Sequence, residues 1–238
     1  MYRRYLEGIA AVCYSICVPA GAGILFYNYG ISPITKLVST VIIILSGYSG
    51  SYFYSLTKKE NSVRRRVMRV TSVILFVLYL LILADFTLAD ENLGRNVFNI
   101  LSWNETEFFD YVNNNTNLIP FETVKLFING YFNNKLTLLD MLGNIFGNLA
   151  AFMPFAFFIP LIFKGINRWY KLMGVVLPSV IAVELLQLIF LTGSSDIDDV
   201  ILNSIGALVM YALLKSRPVS RTLSKLTFGE WDFNEKKR

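Results

Sequence analysis

Six apolar stretches set the terms for this chain: Gly8–Tyr29, Ile34–Leu56, Val70–Ala89, Met141–Phe163, Leu172–Leu191 and Ile197–Leu214. At ~1.5 Å of rise per residue, each is long enough as a helix to cross a hydrocarbon layer of ~30 Å. Lipid offers no partner to the backbone, so a spanning segment must satisfy its own amides, which selects helix. The expectation is an all-α, polytopic membrane bundle of six transmembrane helices. Only 16% of the 238 residues are charged and 54% are hydrophobic. That balance excludes a soluble globular enzyme, a disordered chain and a secreted disulfide scaffold.

The chain has no histidine, which removes imidazole-based triads, metal sites and proton relays. Cys13 and Cys17 lie one turn apart in the first stretch with no basic activator beside them, and read as small apolar residues. That stretch is longer than a signal-peptide core of ~7–15 residues and is expected to be a first transmembrane helix.

Charge sets the expected orientation. If the N-terminus is cytoplasmic, all but Lys36, Arg95, Lys125 and Lys135 of the 22 basic residues fall on the cytoplasmic side. Short basic loops resist translocation, so both termini are expected in the cytoplasm, with loops 90–140 and 192–196 extracytoplasmic. The cluster Lys58, Lys59, Arg64, Arg65, Arg66 and Arg69 reads first as a topology anchor. The tail from Ser216 reads as a solvated or surface-lying cytoplasmic end.

The outer segment Asp90–Asp140 has two halves. The first, with Glu105, Glu107 and Asp110, is Asn-rich and without periodicity. In the second, Phe121, Val124, Phe127, Ile128, Tyr131 and Phe132 recur at helical steps after Pro120. This predicts an amphipathic helix over Leu118–Phe132, too short to span, lying at the outer interface or re-entering the bundle.

Polar groups inside apolar helices need a partner or a wet cavity, since a central acid costs about 2.5–3.5 kcal/mol. In the fourth helix Asp140, Asn144 and Asn148 share a face, beside Gly143 and Gly147, a stripe that permits close helix approach. In the fifth, Glu184 and Gln187 share a face, Glu184 being ~10 Å below the outer end. No basic residue is evident at that depth, so Glu184 is expected to be protonated or to face a wet cleft. The sixth opens Ser194-Ser-Asp-Ile-Asp-Asp-Val-Ile-Leu-Asn203. Ser195 and Asp198 have capping-box spacing, whereas Asp196, Asp199 and Asn203 share a second face. An acid pair can hold a hard cation, but no ligand spacing supports a metal, and no cofactor is expected. Three helices with polar faces at one depth predict a shared outward cleft, which Asp85 of helix three could join.

These residues resemble the VanZ-like family of membrane proteins, named after a teicoplanin-resistance protein of Gram-positive bacteria. The matching pieces are Asn117-Leu-Ile-Pro-Phe121, Gly143-Asn-Ile with Phe152-Met-Pro154, Val183-Glu-Leu-Leu-Gln187 and Asp196-Ile-Asp-Asp-Val-Ile-Leu-Asn-Ser-Ile-Gly206. The family often has a basic residue where this chain has Ser194 and Ser195, and Pro-Leu-Gly where it has Pro154-Phe155-Ala156. The resemblance covers roughly Val70 to Leu214. It implies a polytopic protein of the bacterial cell envelope and, in some members, reduced susceptibility to lipoglycopeptides. The expected organisation is a two-helix extension (1–69), a VanZ-like core (70–214) and a basic tail (215–238).

The leading expectation is a non-enzymatic protein whose cleft binds an amphiphile, either a lipid-linked wall precursor or a lipoglycopeptide, among membrane lipids and without nucleic acid. Its candidate ligand-binding residues are Glu184, Gln187, Asp196, Asp199, Asn203, Asn144, Asn148 and Asp140, with Pro120 and Phe121 of the first matching piece. The alternatives are an integral-membrane enzyme acting on a polyprenyl carrier, with Glu184 as acid/base, and a small proton-coupled transporter. No nucleophile motif or phosphate loop supports the enzyme.

Overall fold

The computed structural model describes residues 2–26, 32–90, 95 and 104–231. Tyr29 of the first apolar stretch and the basic residues Lys236, Lys237 and Arg238 lie outside the described residues. Six spans are long and apolar enough to cross a membrane. They are formed by α1 (Tyr2–Phe26), α2 (Pro33–Leu56), α3 (Asn61–Ala84, continued by a π-turn over Asp85–Ala89), α6 (Leu138–Ala151) with α7 (Met153–Ile162), α8 (Trp169–Ile189) and α9 (Ile197–Lys215). Their outer faces are apolar: Leu45 is 62% and Ile74 61% exposed. Surfaces of this kind fit acyl chains rather than water, and the protein is a multi-pass membrane protein.

Local signals explain the boundaries. Ser32 accepts the Thr35 N–H at 3.2 Å and Pro33 occupies the first turn, so α2 starts there. The expected single fourth helix is interrupted at Phe152. Pro154, lacking an N–H, cannot continue the ladder and opens α7 instead. Pro160 and Pro178 stay inside α7 and α8.

The segment before α6 holds α4 (Glu105–Asn114), β1 (Thr116–Asn117) and α5 (Glu122–Phe132). The amphipathic helix is present as α5. The α4 helix corrects the expectation of an aperiodic half. A capping box starts it, the Asn104 side chain taking the Glu107 N–H and Glu107 answering at the Asn104 N–H. Its apolar residues Phe108, Tyr111 and Val112 recur at helical steps but are only half-buried, and no residue of α4 is fully buried.

The chain divides into two compact units. The first comprises Met1–Phe86, Phe158–Gly165 and Leu214–Arg238. At its core Phe158, 1% exposed, packs 5.2 Å from Phe76 and 6.4 Å from Tyr79 between ring centroids. Lys36 is fully buried and pairs with Asp85 at 2.8 Å, so the carboxylate considered for the site neutralises a lysine of this unit. The tail is not simply solvated. After α10 (Arg217–Leu226) it turns back at Gly229, and Trp231 is 1% exposed. Arg65 donates to the Phe228 carbonyl and Arg69 to Glu230, each at 2.8 Å. Two cations of the arginine cluster therefore hold the turn that follows α10. The second unit comprises Thr87–Phe157 and Ile166–Leu213, and it carries the polar residues singled out in the sequence.

Candidate functional site

The α8 face bearing Glu184 and Gln187 is buried, each being 5% exposed. Gln187 donates to the Thr87 carbonyl at 3.1 Å. Glu184 accepts the backbone N–H of Asp196 at 3.0 Å, the residue that leads into α9. Its carboxylate thereby fixes the α8–α9 turn and does not stand in open water.

That turn carries β2 (Ser195–Asp196), which pairs in parallel with β1 in the register Thr116↔Ser195 and Asn117↔Asp196. The Tyr111 hydroxyl donates to the Gly193 carbonyl at 2.8 Å. Burial raises the Tyr111 pKa, and the phenol stays a donor at neutral pH. The polar segment after α3 is thus tied to the start of α9.

Asp196 and Asp198 are used up by the backbone. Asp196 Oδ1 accepts the Asp198 N–H at 2.9 Å and the Asn117 amide at 3.2 Å. Asp198, 1% exposed, accepts the N–H groups of Phe121 and Val124. Its carboxylate caps α5, whose own N-cap residue, Phe121, is left-handed (φ 65°) and has no side-chain acceptor to offer. The sequence expected Asp198 to cap α9 with Ser195; the structure gives it to a different helix. Pro120 and Phe121 are exposed, and only the Phe121 backbone meets the acidic group.

On the next face of α9, Asp199 accepts a hydrogen bond from the Asn148 amide of α6. Asn203, 4% exposed, donates to the Asp199 carbonyl at 2.7 Å. The two helices can make this pairing because Gly206 sits on the α6 backbone: a Cβ there would lie 1.8 Å from the Leu149 carbonyl oxygen. Gly143 and Gly147, expected to be the close-approach stripe, have nothing within 4 Å of a built Cβ. Asp140 is exposed and closes a capping box with Thr137, so it serves α6 and does not join Asn144 and Asn148 at the cluster.

A cation missed in the sequence completes the group. Arg95 is half-buried, and Asp199, Asp90 and Glu184 act on it electrostatically. Burial lowers its pKa below the ordinary guanidinium value, and these three acids oppose that shift. The expectation that no basic residue accompanies Glu184 is therefore corrected. Arg95 escaped notice because it belongs to a polar connection with no periodic pattern, and contact at depth depends on how that connection folds.

Two acceptors are left over: among the described residues, the buried Oδ1 atoms of Asn144 and Asn203 have no hydrogen-bond partner. Buried polar atoms are nearly always paired, directly or through water. The arrangement is thus a largely closed polar cluster rather than an open cleft. Glu184, Gln187 and Asp196 are its buried base, and half-buried Asp199, Asn144, Asn148 and Arg95 are its more accessible side. Among the described residues no group of three or more acids or cysteines is placed to hold a metal ion.

Comparison with curated proteins and with solved structures found no match. The VanZ/LLP1 family model matches residues 76–219, a span that contains every element of the cluster. A match over more than half of the chain establishes the relationship, and the protein belongs to the VanZ/LLP1 family.

Proposed function

We propose that this VanZ/LLP1 protein resides in the bacterial cell membrane and binds the polar end of an amphiphile at the cluster formed by α6, α8, α9 and Arg95. The ligand class is a lipid-linked cell-wall precursor or a lipoglycopeptide such as teicoplanin, and binding lowers susceptibility to such antibiotics. One observation carries the reading: apolar helices bring Asp199, Asn144, Asn148 and Asn203 together beside a half-buried arginine, and two amide oxygens there lack a donor among the described residues. Acceptors together with one guanidinium suit a head group rich in hydroxyl and amide N–H donors, and the apolar flanks suit its tail. Because Glu184, Asp196 and Asp198 are engaged in holding backbone, they position the site; Asp199 and the two orphan amides are the groups offered to a ligand.

The test is teicoplanin susceptibility of a sensitive Gram-positive host at matched membrane levels of the parent and of Asp199→Asn and Asn203→Ala. A lost charged hydrogen bond weakens binding by about tenfold or more and a lost neutral one by about threefold to tenfold, so Asp199→Asn is expected to lose most of the protection and Asn203→Ala a smaller part. If the parent protects and both variants protect equally well, the cluster has no part in it.

A further inference from the structure

The basic residues assigned to the extracytoplasmic side have unequal fates. Lys36 is paired with Asp85, and Arg95 faces the carboxylates of the polar cluster. The remaining two, Lys125 and Lys135, line one cavity of about 790 Å³ formed by α5 and the turn that follows it. Both lysines are exposed, and neither makes an ion pair among the described residues. Glu122 is the single acid in the lining, so the cavity carries a net positive charge.

The cavity is held in shape by the backbone. Gly130 O accepts the N–H groups of Lys135 at 2.8 Å and Leu136 at 3.1 Å. A Cβ at Gly130 would lie 2.7 Å from Leu136 Cδ1, so a side chain there would have to displace that of Leu136. The backbone of Lys135 is thereby held at the end of α5, and both lysines line the same cavity. Two exposed aliphatic residues share the lining with the lysines: Ile119 is 62% and Leu126 61% exposed. Two ammonium groups with a net positive charge, beside exposed aliphatic side chains, complement an anion attached to an acyl chain.

We propose that this cavity binds the phosphate head group of an anionic phospholipid, which docks α5 and its turn on the membrane surface. Lys125 and Lys135 contact the phosphate, and Ile119 and Leu126 lie along the first methylenes. The proposal is independent of the polar cluster, whose ligand groups are elsewhere on α6 and α9.

The experiment is native mass spectrometry of the full-length protein released from detergent containing equal phosphatidylglycerol and phosphatidylcholine. The parent is expected to retain phosphatidylglycerol preferentially. Each of Lys125→Gln and Lys135→Gln should lower that preference by about fivefold. Both side chains are exposed, so the fold is unaffected. Equal preference in the parent and the double variant overturns the proposal and assigns the lipid to other basic residues such as the arginine cluster. A second arm adds millimolar inorganic phosphate. Phosphate that leaves the lipid bound supports the proposal, whereas phosphate that displaces it completely shows a site for a free anion and overturns it.

Discussion

Gly206 is the residue with the least freedom. Any Cβ meets the Leu149 carbonyl, which is backbone and cannot step aside. Gly206→Ala is expected to push α9 off α6, at a cost of about 1–3 kcal/mol, and to lower the unfolding temperature in detergent. An unchanged temperature would mean that the two backbones do not meet. The contrast with Gly143 and Gly147 marks a limit of sequence reading. A glycine on a helix signals that close approach is allowed, while only the partner's position says where it happens. Acids told more. Glu184, Asp196 and Asp199 stood out because a carboxylate in an apolar run must be accounted for. Asn148, the partner of Asp199, stood out with them, whereas the other partners were invisible, being backbone N–H groups and an arginine in a connection of irregular sequence.

At the scale of elements, the two-strand pairing of β1 with β2 and the Asp198 cap make α5 an appendage of α9. Asp198→Ala removes the acceptor from two N–H groups at the start of α5, a loss of about 1–3 kcal/mol. Hydrogen exchange over residues 121–126 is expected to accelerate, with α8 unchanged. Uniform protection throughout would show that α5 is held by its side chains instead. The amphipathic stripe made α5 legible, but its N-terminus could not be placed because its cap comes from about 75 residues later in the chain. For α4 the start is marked by a capping box, and its stripe of Phe108, Tyr111 and Val112 is short and set among acids and asparagines. In the fourth span the proline was evident, and the structure adds that Pro154 ends one helix and begins another.

Across the whole molecule, the six-span architecture was legible from length and hydropathy because the bilayer imposes both. The orientation argument makes its own prediction. In a background with Cys13 and Cys17 replaced by alanine, Asn133→Cys should react with an impermeant maleimide on intact cells, and Ser62→Cys only after permeabilisation. The opposite pattern would invert the orientation and place the polar cluster toward the cytoplasm. The central claim is that residues from three lipid-embedded helices, with Arg95, form one binding site for an amphiphile. Its most direct measurement is equilibrium binding of teicoplanin, and of a polyprenyl-linked wall precursor, to the purified protein in nanodiscs, for the parent and for Asp199→Asn with Asn203→Ala. The account predicts saturable binding of at least one of the two by the parent and a Kd raised by about tenfold or more in the double variant. Binding of equal strength in both proteins, or none to the parent, would contradict it.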